Sequence, residues 1–321
     1  VHPSTTAAPS VLLERWPAES SIPALYIPKH ADPSSAKPLT GMTVILDAGH
    51  GGSDPGAVAA DGTLEKSINL PIALKTRALL ESMGANVIMH RTEDVYLSIY
   101  NRVARTGLYI LNRAAGLAGF AGQFNLSDYQ ADFNAVIAAN TGDWDGAMEG
   151  RGLHLGFGVR EEVRRLLDLE RQFTDTIIVS IHSNSASPDT AARGLQVYYG
   201  PTEYIYADEV YEIGQDRDVY HWGYPVYNAY TGYDDVARAG LASSIFNKVA
   251  GNVPELQAGA NAGVRPGNYG ILRENNFAAV LVECGFMSNP DDLAILTDTA
   301  GQDAIARGVA DGILEYFTNR G

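Results

Sequence analysis

Four polar residues lie where short apolar runs end or where a helix begins, and their types could do chemistry together. His50 follows an aliphatic run in a glycine-rich turn, and His182 ends the apolar run 176–181. Glu283 ends a third apolar run, and Glu65 lies just ahead of an amphipathic stretch. Two imidazoles and a carboxylate are a common ligand set for catalytic zinc, with a fourth position open for water. A second carboxylate beside that water would act as a general base, so the sequence predicts a metal-assisted hydrolytic centre.

These side chains can meet only if the strands that carry them end at one edge of a sheet, which is where open α/β sheets bind ligands. Residues 43–46 are β-branched or aliphatic and lead into a run of small residues, a pattern that predicts a core strand. An amphipathic helix is predicted up to about Ser82, with Gly84 as its stop. A second strand over 87–89 completes a strand–helix–strand unit. We therefore expect an α/β fold with a mostly parallel, twisted sheet of about six strands, flanked by helices on both faces and carrying a helical insertion.

The rest of the sheet is predicted from four further apolar runs, at residues 176–181, 195–199, 271–272 and 280–282. Asn289, followed by proline and two acidic residues, is a strong helix start. In the last helix the apolar residues recur every four positions, at Ile305, Val309, Ile313 and Phe317. We expect that helix to pack this stripe on the sheet.

Changes in composition divide the chain into a leader and a catalytic domain. Residues 1–41 carry seven prolines among Ser, Thr and Ala, which resists regular structure and predicts a Pro-rich leader or linker. The catalytic domain is expected over 42–319. It contains two predicted insertions, one of helical pieces at about 106–173 and one at about 200–235. The second is rich in tyrosine, which indicates either a ligand-binding surface or a packed aromatic region.

The charge balance and the apolar segments exclude several classes of protein. Asp and Glu total 38 against 23 Lys and Arg, a formal charge of −15, which argues against nucleic acid as a partner. The longest apolar region, near residues 108–124, is interrupted by Asn112 and Arg113, so no membrane-spanning segment is expected. The single cysteine permits no internal disulfide. A start at Val1 fits either a processed secreted protein or a trimmed fragment.

The segments around the four polar residues resemble the zinc-dependent N-acetylmuramoyl-L-alanine amidases of the Amidase_3 family, which cut bacterial peptidoglycan. The similar segments are LDAGHGGSDPGA at 46–57, GTLEKSINLPIA at 62–73, SIHSN at 180–184 and VLVECGFMSNPDD at 280–292. Two more are HRTEDVYLSIYNRVA at 90–104 and VRPGNYGILREN at 264–275. The resemblance covers roughly residues 42–105 and 175–317 in order, and the combination is specific where each piece alone is weak.

The resemblance implies a role for each residue. One Zn²⁺ per chain would be held by His50, Glu65 and His182, and Glu283 would be the general base in hydrolysis of the amide joining N-acetylmuramic acid to L-alanine. The expected substrate contacts are Arg265, Arg273 and Asn184. The implied partner is peptidoglycan, together with an activating protein that acts through an insertion. The implied location is extracytoplasmic, in the periplasm, in the cell wall or secreted.

Simpler interpretations remain open for each residue taken alone. Glu65 could be the charged first turn of a helix, and His182 a satisfied core histidine. Glu283 could cap a helix or pair with an arginine, although a buried carboxylate is costly without a partner or a metal. Cys284 is expected to be a buried apolar residue and not a nucleophile. For the whole chain, the alternatives are a zinc peptidase acting on wall peptides and a non-catalytic wall-binding or regulatory paralogue.

Overall fold

A six-stranded sheet forms the centre of the computed structural model, which describes residues 14–15, 22–139, 161–214, 228–229 and 232–320. In chain order the strands are β1 (Glu14–Arg15), β2 (Thr43–Ala48), β3 (Asn86–Met89), β4 (Thr176–Asn184), β5 (Gln196–Tyr199), β6 (Asn228–Ala229), β7 (Gly263–Pro266) and β8 (Ala278–Phe286). Strands β1 and β6 pair with each other, apart from the main sheet. The main sheet has the order β3-β2-β4-β8-β5-β7.

Helices connect the strands and cover the sheet. They are α1 (Glu65–Ser82), α2 (Ile99–Ala114), α3 (Leu126–Ala139), α4 (Glu161–Gln172), α5 (Thr202–Gly214), α6 (Asp235–Asn252), α7 (Pro254–Gln257), α8 (Gly270–Arg273), α9 (Pro290–Thr297) and α10 (Thr299–Asn319). A single 3₁₀ turn covers Phe120–Gly122. Within the described part of the chain, no helix has both the length and the apolarity that crossing a membrane needs.

Four neighbouring strands of the main sheet run parallel, and the other two run in the opposite direction. β3, β2, β4 and β8 pair in parallel. β5 is antiparallel to β8 and parallel to β7. The carboxyl ends of β2, β4 and β8 therefore meet at one edge of the sheet. This confirms the mostly parallel, six-stranded α/β sheet that the sequence predicts.

Successive residues of the central strands face two hydrophobic cores, one on each side of the sheet. In β4, Ile177, Val179 and Ile181 pack in the core that contains α1, α6 and α10. The neighbouring Ile178 packs in the core that contains α2, α3 and α4. A strand buried on both faces is apolar at nearly every position, which is why these strands can be found from the sequence. The expected helices on both faces are confirmed.

Three predicted helix boundaries and faces are also confirmed. α1 ends at Ser82, and Gly84 follows it with φ of 92°, a conformation that glycine adopts without strain. Asn289 caps α9 by accepting hydrogen bonds from the backbone amides of the two acidic residues after Pro290. The four-residue apolar stripe of α10 is buried in the core beside α1 and α6.

The strand predicted at 271–272 is wrong. Ile271 and Leu272 lie in the short helix α8 and are buried in the core on the α2 side. The sixth strand is β7 instead, whose sequence Gly-Val-Arg-Pro contains one apolar residue between polar or special ones. As an edge strand paired only with β5, it is partly exposed, so it lacks the apolar run that marks a central strand.

Parts of the predicted leader and of the first predicted insertion belong to the core on the α2 side. Tyr26 stacks on Phe173 with ring centroids 4.4 Å apart. Arg113 in α2 donates to the Asp175 carboxylate at 2.8 Å and reaches the Tyr26 hydroxyl at 2.7 Å. Phe133 of α3 is buried in the same core. These segments share their packing with the sheet, and the proposed bounds at 41, 106 and 173 stay predictions.

Only part of the second predicted insertion, at 200–235, can be described. α5 fills its first half, Tyr204 is 44% exposed, and Tyr233 is buried with its hydroxyl donating to the Arg273 carbonyl at 2.8 Å. Tyr220, Tyr224, Tyr227 and Tyr230 lie outside the described residues. The interpretation of the tyrosines as either a binding surface or a packed region stays a prediction.

Candidate metal centre

The strand register places the predicted residues at one edge of the sheet. His182 in β4 lies opposite Glu283 in β8. The last residue of β2 lies opposite Ile181. The next amide, that of Gly49, donates to the Ile181 carbonyl at 2.9 Å. The turn that carries His50 therefore continues directly from the sheet and brings the imidazole to the ends of the neighbouring strands.

Three side chains converge to form a candidate metal site. Glu65, the first residue of α1, is hydrogen-bonded to two imidazoles: its Oε2 lies 3.1 Å from His50 Nε2, and its Oε1 lies 3.0 Å from His182 Nδ1. One ligand atom from each residue lies within 4.8 Å of the others. Ligands held about 2.0–2.2 Å from a tetrahedral zinc are themselves about 3–4 Å apart, so a small closure of the three side chains suffices. The donor set and its spacing fit a catalytic zinc site.

Hydrogen bonds inside this cluster shift the protonation of its members. Burial alone would raise the pKa of Glu65, but its hydrogen bonds with His182 and His50 lower that pKa far below its usual range. Burial alone would lower the pKa of His50, but Asp54 and Glu65 raise it to about 9. Only the neutral imidazole is a metal ligand, so a cation that binds here competes with protons and releases them.

Asp54 contacts the ring nitrogen of His50 that Glu65 does not contact. Its Oδ2 lies 2.7 Å from His50 Nδ1, and its Oδ1 accepts a hydrogen bond from the Gly56 amide at 3.0 Å. A histidine that binds a metal usually donates its other ring N–H to a carboxylate or a carbonyl, which fixes the ring and its tautomer. Asp54 was not among the residues predicted from the sequence, although the sequence has this carboxylate four positions after His50.

Two glycines allow the cluster to be this compact. A Cβ at Gly49 would lie 2.2 Å from Cε1 of His182. A Cβ at Gly56, whose φ is 66°, would lie 2.5 Å from Oε2 of Glu65 and 2.6 Å from Cδ2 of His50. No side chain fits at such distances, so the turn needs glycine where the imidazoles and the carboxylate approach the backbone.

Glu283 faces this cluster from the neighbouring strand. Its Oε2 is buried and has no hydrogen-bond partner among the residues that the structure describes. Burial raises the pKa of Glu283 to about 7; the nearby His182 opposes this rise and Glu65 adds to it. An unpaired buried carboxylate is costly, yet one that exchanges a proton near neutrality suits general acid–base catalysis. Cys284 beside it is fully buried, as expected for an apolar packing residue.

The three predicted substrate contacts lie on three different elements and have different hydrogen-bond partners. Asn184 ends β4, and its Nδ2 donates to Oε1 of Gln196 at 2.8 Å. Arg265 in β7 donates to a loop carbonyl at 2.8 Å. Arg273 in α8 pairs with Glu274 at 3.0 Å. Their contact with a substrate stays a prediction.

A cavity of about 250 Å³ opens beside the cluster and was not anticipated from the sequence. His50 and His182 are among the residues that line it. Its lining also includes Tyr96, Leu97, Ile99, Tyr269 and Ile271. Most of these residues are apolar and stand in segments that the sequence analysis had singled out for their family-like pattern. The cavity is a candidate place for part of a substrate next to the metal site.

Known proteins share the sequence pattern. The sequence model of the Amidase_3 family, described as N-acetylmuramoyl-L-alanine amidase, matches residues 44–109 and 156–315. The chain is similar to the probable cell wall amidase LytH of Staphylococcus aureus, with 25% identity over 283 residues that cover 88% of this chain and 60% of that protein. The chain thus spans about 60% of the length of the curated relatives that it matches.

Solved structures share the fold. The N-acetylmuramoyl-L-alanine amidase AmiC2 of Nostoc punctiforme superposes with a TM-score of 0.51 at 23% identity, covering 86% of this chain and 96% of that one. The CwlD amidase of Clostridioides difficile, solved in complex with the GerS lipoprotein, gives a TM-score of 0.50 at 25% identity, covering 87% and 99%. The α/β architecture described above is the architecture of these proteins.

Proposed function

Because this chain belongs to the Amidase_3 family, we propose that it hydrolyses the amide bond between N-acetylmuramic acid and L-alanine in bacterial peptidoglycan. The observation that carries the proposal is the convergence of His50, Glu65 and His182 beside the buried carboxylate of Glu283. These are the ligands and the base that a single-zinc hydrolase requires.

Each residue has a defined part in the reaction. His50, Glu65 and His182 would hold one Zn²⁺, which supplies a Lewis acid at the scissile amide. Glu283 takes a proton from the water that attacks the carbonyl carbon. It then delivers this proton to the nitrogen as the C–N bond breaks. The products are a carboxylate on the sugar's lactyl group and a stem peptide with a free amino terminus on L-alanine.

The surroundings of these residues support that assignment. Burial brings the pKa of Glu283 to about 7, so the carboxylate can accept a proton and give it back near neutral pH. Asp54 at His50 Nδ1 would keep Nε2 as the atom that faces the metal. His182 and Glu283 lie opposite each other on adjacent strands, which supports a role for Glu283 as the base next to a proposed metal ligand.

Substrate contacts are proposed at Asn184, Arg265 and Arg273. Asn184 has the best structural support, because it lies two residues beyond His182 and bonds to Gln196, the residue opposite Glu283 on β5. The two arginines would bind carboxylates of the stem peptide. Arg273 is the weaker of these two, because Glu274 already pairs with its charge.

The proposed setting is outside the cytoplasm, where peptidoglycan lies. The relative from S. aureus is named a probable cell wall amidase, which supports that location. The neighbouring structure from C. difficile was solved with a lipoprotein partner. By analogy, an activating protein that acts through one of the two predicted insertions is part of the proposal.

Digestion of purified sacculi tests the proposed activity. Mass spectrometry should find intact stem peptides that begin with a free L-alanine amino group, and metal analysis should find one zinc per chain. A zinc peptidase would instead shorten the stem peptides and leave them attached to the glycan. A non-catalytic paralogue would bind sacculi and release nothing. Either of these results would reject the proposed reaction.

A further inference from the structure

Two buried guanidinium groups hold three consecutive carbonyl groups of the turn that presents His50. Arg91 donates from Nε to the Ala48 carbonyl and from Nη2 to the Gly49 carbonyl, each at 2.8 Å. Arg102 donates from Nη1 to the Ala48 carbonyl at 2.8 Å and from Nη2 to the His50 carbonyl at 2.9 Å. We call this arrangement of Arg91 and Arg102 the carbonyl clamp.

The clamp is itself fixed by a buried polar network. Arg91 is 2% exposed and Arg102 is 4% exposed. Asp47, also buried, pairs with Arg102 and accepts hydrogen bonds from Ser180 at 2.6 Å and from the His90 imidazole at 2.9 Å. Burial alone would raise the pKa of Asp47, but Arg102 and His90 hold it well below its usual range, so the carboxylate offsets one of the clamp's two positive charges.

The turn gains little from the packing of its own side chains, so hydrogen bonds to its backbone contribute much of its order. Gly49, Gly51 and Gly52 flank His50 and offer no side chains to pack. His50 itself has φ of 60°, which is uncommon for a residue other than glycine. A glycine-rich segment loses more conformational freedom on ordering than any other. Bonds to its carbonyls from rigid, planar guanidinium groups restrict it without adding bulk beside the metal site.

We propose that Arg102, together with Arg91, is a positioning residue of the metal centre: the carbonyl clamp holds the turn so that His50 is preorganised to bind the metal. The proposal rests on the proposed function, because it takes the metal from there. The clamp then sets metal affinity directly and not through the stability of the fold. Loss of partners behind a metal ligand typically weakens metal binding about 10–100-fold, and we expect that range for Arg102→Met and for Arg91→Met.

Arg113 provides a matched control. Its guanidinium also pairs with a buried carboxylate, that of Asp175, and also bonds to a sheet residue, Thr176. Thr176 lies opposite Thr43 at the start of β2, so this pair stands at the other end of the sheet from His50. Arg113→Met should therefore lower the melting temperature of the metal-free protein and leave zinc affinity as it is.

The experiment measures three quantities on each purified full-length variant. They are the zinc dissociation constant by competition with a chromophoric chelator, the melting temperature of the metal-free protein, and the visible d–d spectrum of the Co²⁺-loaded protein. The clamp variants should bind zinc about 10–100-fold more weakly and show an altered Co²⁺ spectrum. Arg102→Lys keeps the positive charge but lacks the planar guanidinium that bonds to two carbonyls at once. Compared with Arg102→Met, it should therefore restore the melting temperature more than the zinc affinity.

Several outcomes would overturn the proposal. One is zinc affinity and a Co²⁺ spectrum in both clamp variants that equal those of the unchanged protein. Another is a ratio of lost zinc affinity to lost melting temperature in Arg113→Met that equals the ratio in the clamp variants. That result would show that affinity falls only because the fold is less stable. If Arg102→Met does not fold because Asp47 is left unpaired, the double variant Asp47→Asn/Arg102→Met and the single variant Arg91→Met decide by the same comparison. Absence of zinc binding by the unchanged protein would reject the proposed function itself.

Discussion

Replacing Glu283 by glutamine should separate catalysis from metal binding. Glutamine has nearly the same shape, but its amide cannot take a proton from the attacking water. General acid–base catalysis of this kind is worth about 10²–10⁴ in rate, so wall digestion should fall by that factor. Zinc content should not change, because the candidate ligands are His50, Glu65 and His182.

The same substitution should stabilise the metal-free protein at neutral pH. Below the usual pKa of 4.5 the carboxyl group is protonated in both the folded and the unfolded chain, and its burial adds no charge cost. As the pH rises toward 7, the unfolded chain ionises first, whereas burial keeps the folded chain protonated. The difference between 4.5 and about 7 corresponds to about 3 kcal/mol of stability lost. Glu283→Gln removes this loss, with its full effect above pH 7.

Two assays on the same samples check both expectations. Release of stem peptides from sacculi gives the rate, and urea unfolding between pH 4 and 9 in the presence of a chelator gives the free energy of unfolding. Glu255→Gln, an exposed position in α7, is the control and should change neither quantity. The reasoning fails if Glu283→Gln digests sacculi at the normal rate. It also fails if the variant is less stable than the unchanged protein above pH 7.

Three further substitutions test the surroundings of the site and of the fold. Gly49→Ala should weaken zinc binding more than about tenfold, because its Cβ would lie 2.2 Å from the His182 ring; chelator competition measures this. Asp54→Asn keeps an acceptor for His50 but removes the charge, so zinc affinity should fall about tenfold by the same measurement. Burial raises the pKa of Glu170 to about 8, so the folded protein loses stability as the pH rises from 4.5 to 8. Glu170→Gln should regain up to about 5 kcal/mol above pH 8, which urea unfolding measures.

Each of these predictions has its own contrary result. Normal zinc affinity in Gly49→Ala would show that the turn tolerates a side chain despite the 2.2 Å approach to the His182 ring. Equal affinity in Asp54→Asn would mean that the carboxylate does not support His50 through its charge. A parallel pH dependence of the unchanged protein and Glu170→Gln would show that Glu170 is ionised in the folded chain.

The central strands, the last helix and the candidate site residues could be predicted from the sequence because burial or chemistry determines the residue type at their positions. β4 and β8 are apolar along their length because both faces are covered, and each leads to a polar residue that the core alone would not select. The last helix was predictable because its stripe has a single period. Glu283 stood out for the same reason, since a carboxylate at the end of a buried apolar strand is costly unless it has a partner or a metal. His50, Glu65 and His182 were predicted as ligands with the support of the family-like segments around them.

The edge strand, the short helix α8 and the two arginines could not be predicted from the sequence, because each depends on contacts between residues that are distant in the chain. β7 is an edge strand with a single apolar residue, so no local pattern distinguishes it from a loop. The run 271–272 was too short to separate a strand from a turn of helix. Arg91 and Arg102 act through backbone carbonyls, and any residue could supply a carbonyl. Their partners become visible only when the strands are placed side by side.

The position of β8 within the sheet restricts how this protein could be switched off. Glu283 has His182 opposite it on one neighbouring strand and Gln196 opposite it on the other, so its backbone is held from both sides. Moving this backbone would require breaking strand pairs in the middle of the sheet. Control of the proposed activity in a protein that keeps its fold would therefore act on access to Glu283 or on its side chain, and not on the position of its backbone.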